Sequence, residues 1–204
     1  MPHLGFDVRD YSTHARVGNP PDDDLLVVVS RRNAALPPLT EGFDSSVRLR
    51  ERRLYFGALR SASGFVVLPD VPPGNYPARI VAHHYVPFAT NVTSPQLAPL
   101  AVALHRDAAF PFAPEDTLIR GRVRTAGGLP HTGFDVRLSD LTEASVPNHR
   151  VPLNAAGDFV IFIPEKQTTG GISVEVFHAG GSVVTALPAV QLHRSNWMPP
   201  IIVP

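Results

Sequence analysis

The chain has 204 residues, 44% of them hydrophobic, enough for two small domains or one large one with a true core. Its 18 basic and 18 acidic residues cancel, so no global basic field exists to hold nucleic acid or an anionic lipid surface. It has no cysteine, which excludes disulfide staples and thiolate zinc sites, and no apolar run of the ~20 residues that a membrane helix needs.

The 22 prolines and 15 glycines imply many short elements broken by turns, because proline is costly inside helices and central strands. No window carries apolar residues at i, i+3, i+4 and i+7 over three turns, so the class is all-β. The opening Met-Pro-His-Leu-Gly-Phe-Asp lacks the cationic and apolar regions of a secretory signal. The expectation is cytoplasmic synthesis without a signal peptide, with membership of a released particle left open.

In chain order the first segment predicts strands at Gly5–Asp10, Leu25–Ser30, Ser46–Leu49, Arg53–Leu59, Phe65–Leu68, Ala78–His83 and Leu100–His105. Leu25 to Val29 is apolar throughout, the pattern of a strand covered on both faces. Ser46-Val47-Arg48-Leu49-Arg50 alternates, which predicts one wet face. Pro72-Pro73-Gly74-Asn75 supplies turn chemistry, with Gly74 expected at positive φ. Asn91-Val92-Thr93 fits a glycosylation sequon but, with no secretory signal, reads as an ordinary turn.

Asp107 to Thr117 holds two prolines and lacks alternation, which marks a domain boundary. The division is 1–107, a linker at 108–117, and 118–204, with Phe110 and Phe112 expected to pack rather than dangle. The second segment predicts strands at Leu118–Arg124, Phe134–Ser139, His149–Leu153, Phe159–Ile163, Ile172–His178, Ser182–Leu187 and Trp197–Val203.

Three short patterns carry a resemblance. Phe65 to Leu68 is followed by Asp70-Val71-Pro72-Pro73-Gly74-Asn75-Tyr76, a D-hydrophobic-P-P-G-x-Y turn. Ile119-Arg120-Gly121-Arg122-Val123 precedes Gly128-Leu129-Pro130, and Asn154-Ala155-Ala156-Gly157-Asp158-Phe159 forms a d-x-x-G-x-F turn. Together they resemble the carboxypeptidase-regulatory-like domains, small transthyretin-like β-sandwiches. The resemblance implies two tandem transthyretin-like (immunoglobulin-like) antiparallel β-sandwich domains without catalytic activity. Ser61–Pro69 then overlays Asn154–Pro164 as a distant internal copy, although 165–171 stands where the second copy would need P-P-G-x-Y. Gly-Phe-Asp-Val-Arg also occurs twice, at Gly5–Arg9 and Gly133–Arg137, but at different distances from the aligned hairpins, and so falls on different strands.

Chemistry-bearing motifs are few. His83 and His84 are adjacent, so on a strand they would face opposite ways, and the other histidines lack chelate spacing. Asp22-Asp23-Asp24 lacks the alternating ligands and glycine of a calcium loop. There is no G-x-S-x-G elbow, phosphate-binding loop or dinucleotide fingerprint. Hydroxyisourate hydrolase, an enzyme of transthyretin-like fold, ends in Tyr-Arg-Gly-Ser; this chain ends Pro199-Pro200-Ile201-Ile202-Val203-Pro204. The expectation is no catalytic residue, no cofactor and no metal.

The leading functional expectation is a structural or adaptor subunit of a larger protein assembly, such as a baseplate, decoration or cap component of a phage-tail-like or contractile injection particle. Its partners would be other protein subunits, with no nucleic acid and no membrane insertion. Candidate interaction residues are Trp197, Met198, Ile201 and Val203, residue types that include those enriched where partners bind, and the strip Arg48, Arg50 and Arg52, which share one face of a strand. The segment 197–203 reads either as an assembly arm or as a strand closing the core of the second domain. The alternative is a polysaccharide- or peptide-binding accessory module using Tyr11, Tyr85 or Trp197. A third reading, a hydrolase with a dispersed site, has no motif behind it.

Overall fold

The computed structural model describes residues 3–17, 25–30, 59–130, 135–138, 150–163, 172–178, 181–187 and 189–204. Every regular element among them is a strand, and the chain divides into two compact units, Met1–Leu104 and His105–Pro204. Ser46–Leu49, nearly all of Arg53–Leu59, and the candidates Asp22–Asp24 and Arg48, Arg50 and Arg52 lie outside the described residues.

In the first unit, β1 (His3–Asp10), β3 (Leu59–Arg60), β4 (Val66–Pro69) and β7 (Leu100–Leu104) form one sheet, ordered β3-β4-β1-β7. A second sheet has the order β2-β5-β6, from Leu25–Val29, Gly74–Ala82 and Phe88–Ser94. Strand alternation turns Leu4, Phe6 and Val8 inward, and Val27, Val29, Ala78 and Ile80 meet them from the other sheet in one core. The run Leu25–Val29 is an edge strand of the described sheet: Val27 and Val29 are buried, while Leu25, Leu26 and Val28 are half-buried. Asn91-Val92-Thr93 is not a turn but the middle of β6, with Asn91 exposed opposite Pro77. Pro77 in turn lies inside β5, which starts four residues earlier than the Ala78 expected. The carbonyl of Pro77 accepts from Ser30 N at 3.1 Å, so its missing donor faces the end of β2 and the ladder to β6 is intact. His83 and His84 lie beyond β5 in a turn, with ring centroids 3.6 Å apart, rather than on opposite faces of a strand.

The P-P-G-x-Y turn has a physical reason. The Tyr76 hydroxyl donates to Pro72 O at 3.0 Å, so the ring folds back over the turn. A Cβ on Gly74, at φ 154°, would sit 3.3 Å from that hydroxyl and 3.4 Å from the ring. Gly74→Ala is therefore expected to cost the first unit about 1 kcal/mol or more. Urea denaturation followed by a first-unit amide signal checks it; unchanged stability would show that neither backbone nor ring is tight here.

In the second unit, β9 (Asp135–Leu138), β10 (Val151–Pro152), β12 (Ile172–His178) and β13 (Gly181–Leu187) form a sheet in the order β10-β9-β12-β13. The facing sheet has β8 (Thr117–Thr125) between β11 (Asp158–Ile163) and two short strands, β14 (Ser195–Trp197) and β15 (Ile201–Val203). Both sheets contribute to one core, through Ile119, Val123, Phe159 and Ile161 on one side and Val136, Val174 and Val176 on the other.

The units share one plan. Ser61 N and Asn154 N bond to Phe65 O and Asp158 O, and Gly64 N and Gly157 N bond back to Ser61 O and Asn154 O. Gly64 and Gly157 hold φ of 82° and 69°. The strand that follows pairs antiparallel with the first strand of its unit, β4 with β1 and β11 with β8. Phe6 faces Val66 across the first pair, and Gly121 faces Phe159 across the second. The large ring has changed strands. Gly-Phe-Asp-Val-Arg falls on β1 in one unit and runs into β9 in the other, which are not equivalent strands.

Two sequence expectations are revised. Pairing is mostly antiparallel, but β7 lies parallel to β1, and β14 and β15 lie parallel to β8. The division between units falls after Leu104, and the stretch taken as a linker folds onto the second unit. Arg120 Nη1 donates to Ala108 O at 2.6 Å, and Asn154 Nδ2 to Asp107 Oδ1 at 2.9 Å.

Candidate functional site

Segment 105–116 is a strap across the outer face of the β11-β8-β14 sheet. Short turns shape it: Ala113 N donates to Asp116 Oδ2 at 2.9 Å, and Phe110 N to Asp107 O at 3.0 Å. Alternation along β8 sends Ile119, Gly121 and Val123 inward and Arg120, Arg122 and Arg124 outward. The Arg106 guanidinium lies 4.3 Å from the Phe110 ring, 5.7 Å from Phe112 and 5.9 Å from Phe162, and Arg120 lies 5.3 Å from Phe112. Such cation–π contacts are worth about 0.5–1 kcal/mol each at exposed sites. Leu118 and Val160 on this outer face are buried, as a covered face requires.

Beside the strap is a cleft of about 280 Å³. The strap contributes Asp107 to Ala109, β8 contributes Arg120 and Arg122, the turn before β11 contributes Asn154, and Asp158 and Trp197 complete the rim. The Arg122 and Arg124 guanidiniums reach Asp158 at 3.2 and 3.4 Å. Asn154 is fixed from both ends of its amide: Oδ1 accepts from Ala156 N and Asp158 N, both at 2.9 Å, while Nδ2 holds Asp107. Burial lowers the Arg120 pKa from its ordinary value, yet the group remains a cation at neutral pH. Its guanidinium is 5.9 Å from the Trp197 ring.

The candidate residues at 197–203 separate by alternation. Trp197 is 63% exposed and stands beside Arg120, its register partner across the parallel β14–β8 pair. Met198, Ile201 and Val203 are 6%, 2% and 0% exposed and belong to the core of the second unit. These three side chains are core, not surface. Ile202, between two of them, is exposed. Tyr85 is half-buried against the first core and donates to Asp10 Oδ2 at 2.8 Å, and Tyr11 is half-buried as well. Of the three aromatic candidates only Trp197 is open to a ligand. Sequence reasoning missed Arg120, Arg122, Asp107, Asn154 and Asp158; the signal available was the R-x-R-x-R alternation of Arg120, Arg122 and Arg124 on a strand. Among the described residues no three histidine or acidic side chains are grouped to hold a metal ion.

No family model matches the chain, and no curated protein sequence matches it. Among solved structures, the Bacillus anthracis TIE protein aligns with 98% of this chain and 33% of its own, at 11% identity and a TM-score of 0.32. The streptococcal ancillary pilin aligns with 99% of this chain and 68% of its own, at 13% identity and a TM-score of 0.34. The chain thus spans about a third of the first and two thirds of the second. Its classification rests on its own strands: all-β, with two sandwich units in tandem.

Proposed function

We propose that this chain is a non-catalytic accessory binding module, two sandwich repeats of the transthyretin-like, carboxypeptidase-regulatory-like kind, with its working surface at the cleft of the second unit. Trp197 carries the reading. It is the single tryptophan of the chain, it stays 63% exposed at the end of β14 although the residue after it is core, and it lines a cleft in which a few charged side chains meet an apolar floor. A concave site where a few polar side chains converge beside an aromatic ring is a candidate binding site. The test is amide NMR of the full chain against a mixed set of small soluble probes (carboxylates, amides, aromatic amines and sugars). Perturbations should converge on Ala108, Ala109, Arg122, Asn154 and Trp197; shifts scattered evenly over both units would remove the reading.

A second reading, a structural or adaptor subunit of a larger assembly of the phage-tail-like kind, is favoured by the exposed Val184 and Ile202 on β13, the end strand of its sheet, and on the three-residue β15. Apolar side chains on thinly protected strands suit a covered surface.

A further inference from the structure

We propose that the cleft at Trp197 is a saccharide subsite that takes one ring of a neutral glycan. The proposal rests on the binding-module reading and adds the ligand class to it.

The lining is charged but balanced. Arg120 and Arg122 stand against Asp107 and Asp158, and each of these groups already has an internal partner. Arg122 is ion-paired with Asp158, Arg120 donates to Ala108 O, and Asp107 accepts from Asn154. An anionic ligand reaching Arg122 would lie against the Asp158 carboxylate, and a cationic one would meet two guanidiniums. A neutral ligand rich in hydroxyl groups faces neither conflict, because a hydroxyl both donates and accepts.

What the cleft leaves available fits such a ligand. Arg122 keeps more than half of its side chain in water, so its fork can donate further. The Asn154 interaction engages only Oδ1 of Asp107, and the second carboxylate oxygen can accept. Planar carboxylate and guanidinium groups match adjacent hydroxyls bidentately, as they match each other. The indole of Trp197 supplies a flat apolar surface with a negative face, onto which the C–H face of a sugar ring stacks. A volume of about 280 Å³ lies at the lower bound of small-molecule pockets, roughly 300 Å³, room for one ring rather than for a folded peptide turn. Asp107 and Asn154 come from the strap and from the turn that both units share, and their mutual hydrogen bond ties the two elements together, so the site is formed before any ligand arrives.

The lone tryptophan gives a direct readout, since all indole fluorescence of the chain comes from the site. The full chain is titrated with maltohexaose, cellohexaose and chitohexaose, with oligogalacturonate as an acidic arm and a poly-glutamate peptide as a protein-like arm. The expected result is a saturable change in Trp197 emission with at least one neutral hexamer, unchanged between about 0.05 and 0.5 M salt because no ion is released on binding. Asp107→Ala and Arg122→Ala should each weaken it about tenfold or more while leaving the circular dichroism and thermal midpoint of the second unit in place. Arg122→Lys, which keeps the charge but loses the fork, should weaken it as well. Silence from all three neutral hexamers at ~10 mM overturns the proposal, as does binding confined to the acidic polymers and abolished by salt. If the mixed small-molecule probes still converge on the cleft in that case, the binding-module reading stands and only the saccharide assignment falls.

Discussion

Gly121→Ala is expected to destabilise the second unit by about 3 kcal/mol. A Cβ built on Gly121 would lie 2.4 Å from Cζ and 2.6 Å from Cε1 of Phe159, its cross-strand partner. Phe159 is 2% exposed and cannot swing into water, so the ring must leave its rotamer or the strands must part, at the upper end of the 1–3 kcal/mol typical of overpacking. Trp197 fluorescence during urea denaturation follows this unit alone, since no other tryptophan is present. The first unit contains the remedy: there the bulky partner sits on the first strand, Phe6 against Val66. The double variant Gly121→Phe with Phe159→Val copies that arrangement and should recover part of the loss. If Gly121→Ala alone melts like the parent protein, the Gly121–Phe159 packing described above is wrong.

Deleting residues 199–204 should unfold the second unit or leave it without fixed packing. The deletion removes the buried side chains of Ile201 and Val203, each worth about 1.5–3 kcal/mol, together with the parallel pairing of β15 to β8. The sum, roughly 3–6 kcal/mol, is comparable with the whole stability of a domain of this size, about 5–15 kcal/mol. Calorimetry of the truncated chain should retain the transition of the first unit and lose that of the second. A second transition that survives unchanged would return the segment to the role of an arm.

Sequence patterning was most legible where alternation and turn chemistry agreed. Phe65 to Tyr76 marked two strands and the turn between them correctly, because strand propensity, prolines and Gly74 all favoured the same chain reversal. The expected hairpin is instead a crossover: β4 and β5 belong to different sheets and do not pair. The I-x-G-x-V and d-x-x-G-x-F patterns were visible as a resemblance, but their cause was not. Gly121 and Phe159 are 38 positions apart in the chain and become one feature only when β11 lies against β8. The C-terminal segment left arm and core equally open, since periodicity reports alternation and not the identity of the covering surface. The cleft was illegible for the same reason. Its groups come from 107, 120–122, 154, 158 and 197, and no local window holds more than two or three of them. The stretch 108–117 reads as a linker whose Phe110 and Phe112 pack; the surface they pack on was not legible, because Arg106 stacking on Phe110 and Phe162 is a tertiary fact.

The parallel pairing of β7 with β1 has a mechanical meaning. Because these strands run the same way, the chain enters the first unit near one pole and leaves it near the other. The five facing residue pairs from Phe6–Leu100 to Asp10–Leu104 lie side by side along the line joining those ends. Tension applied through the chain would load them in shear, so that their bonds must fail together instead of peeling one at a time. β15 beside β8 repeats the geometry in the second unit. Each unit thus has a shear geometry between its first and last described strands, a property that follows from strand direction alone and is independent of what the cleft holds.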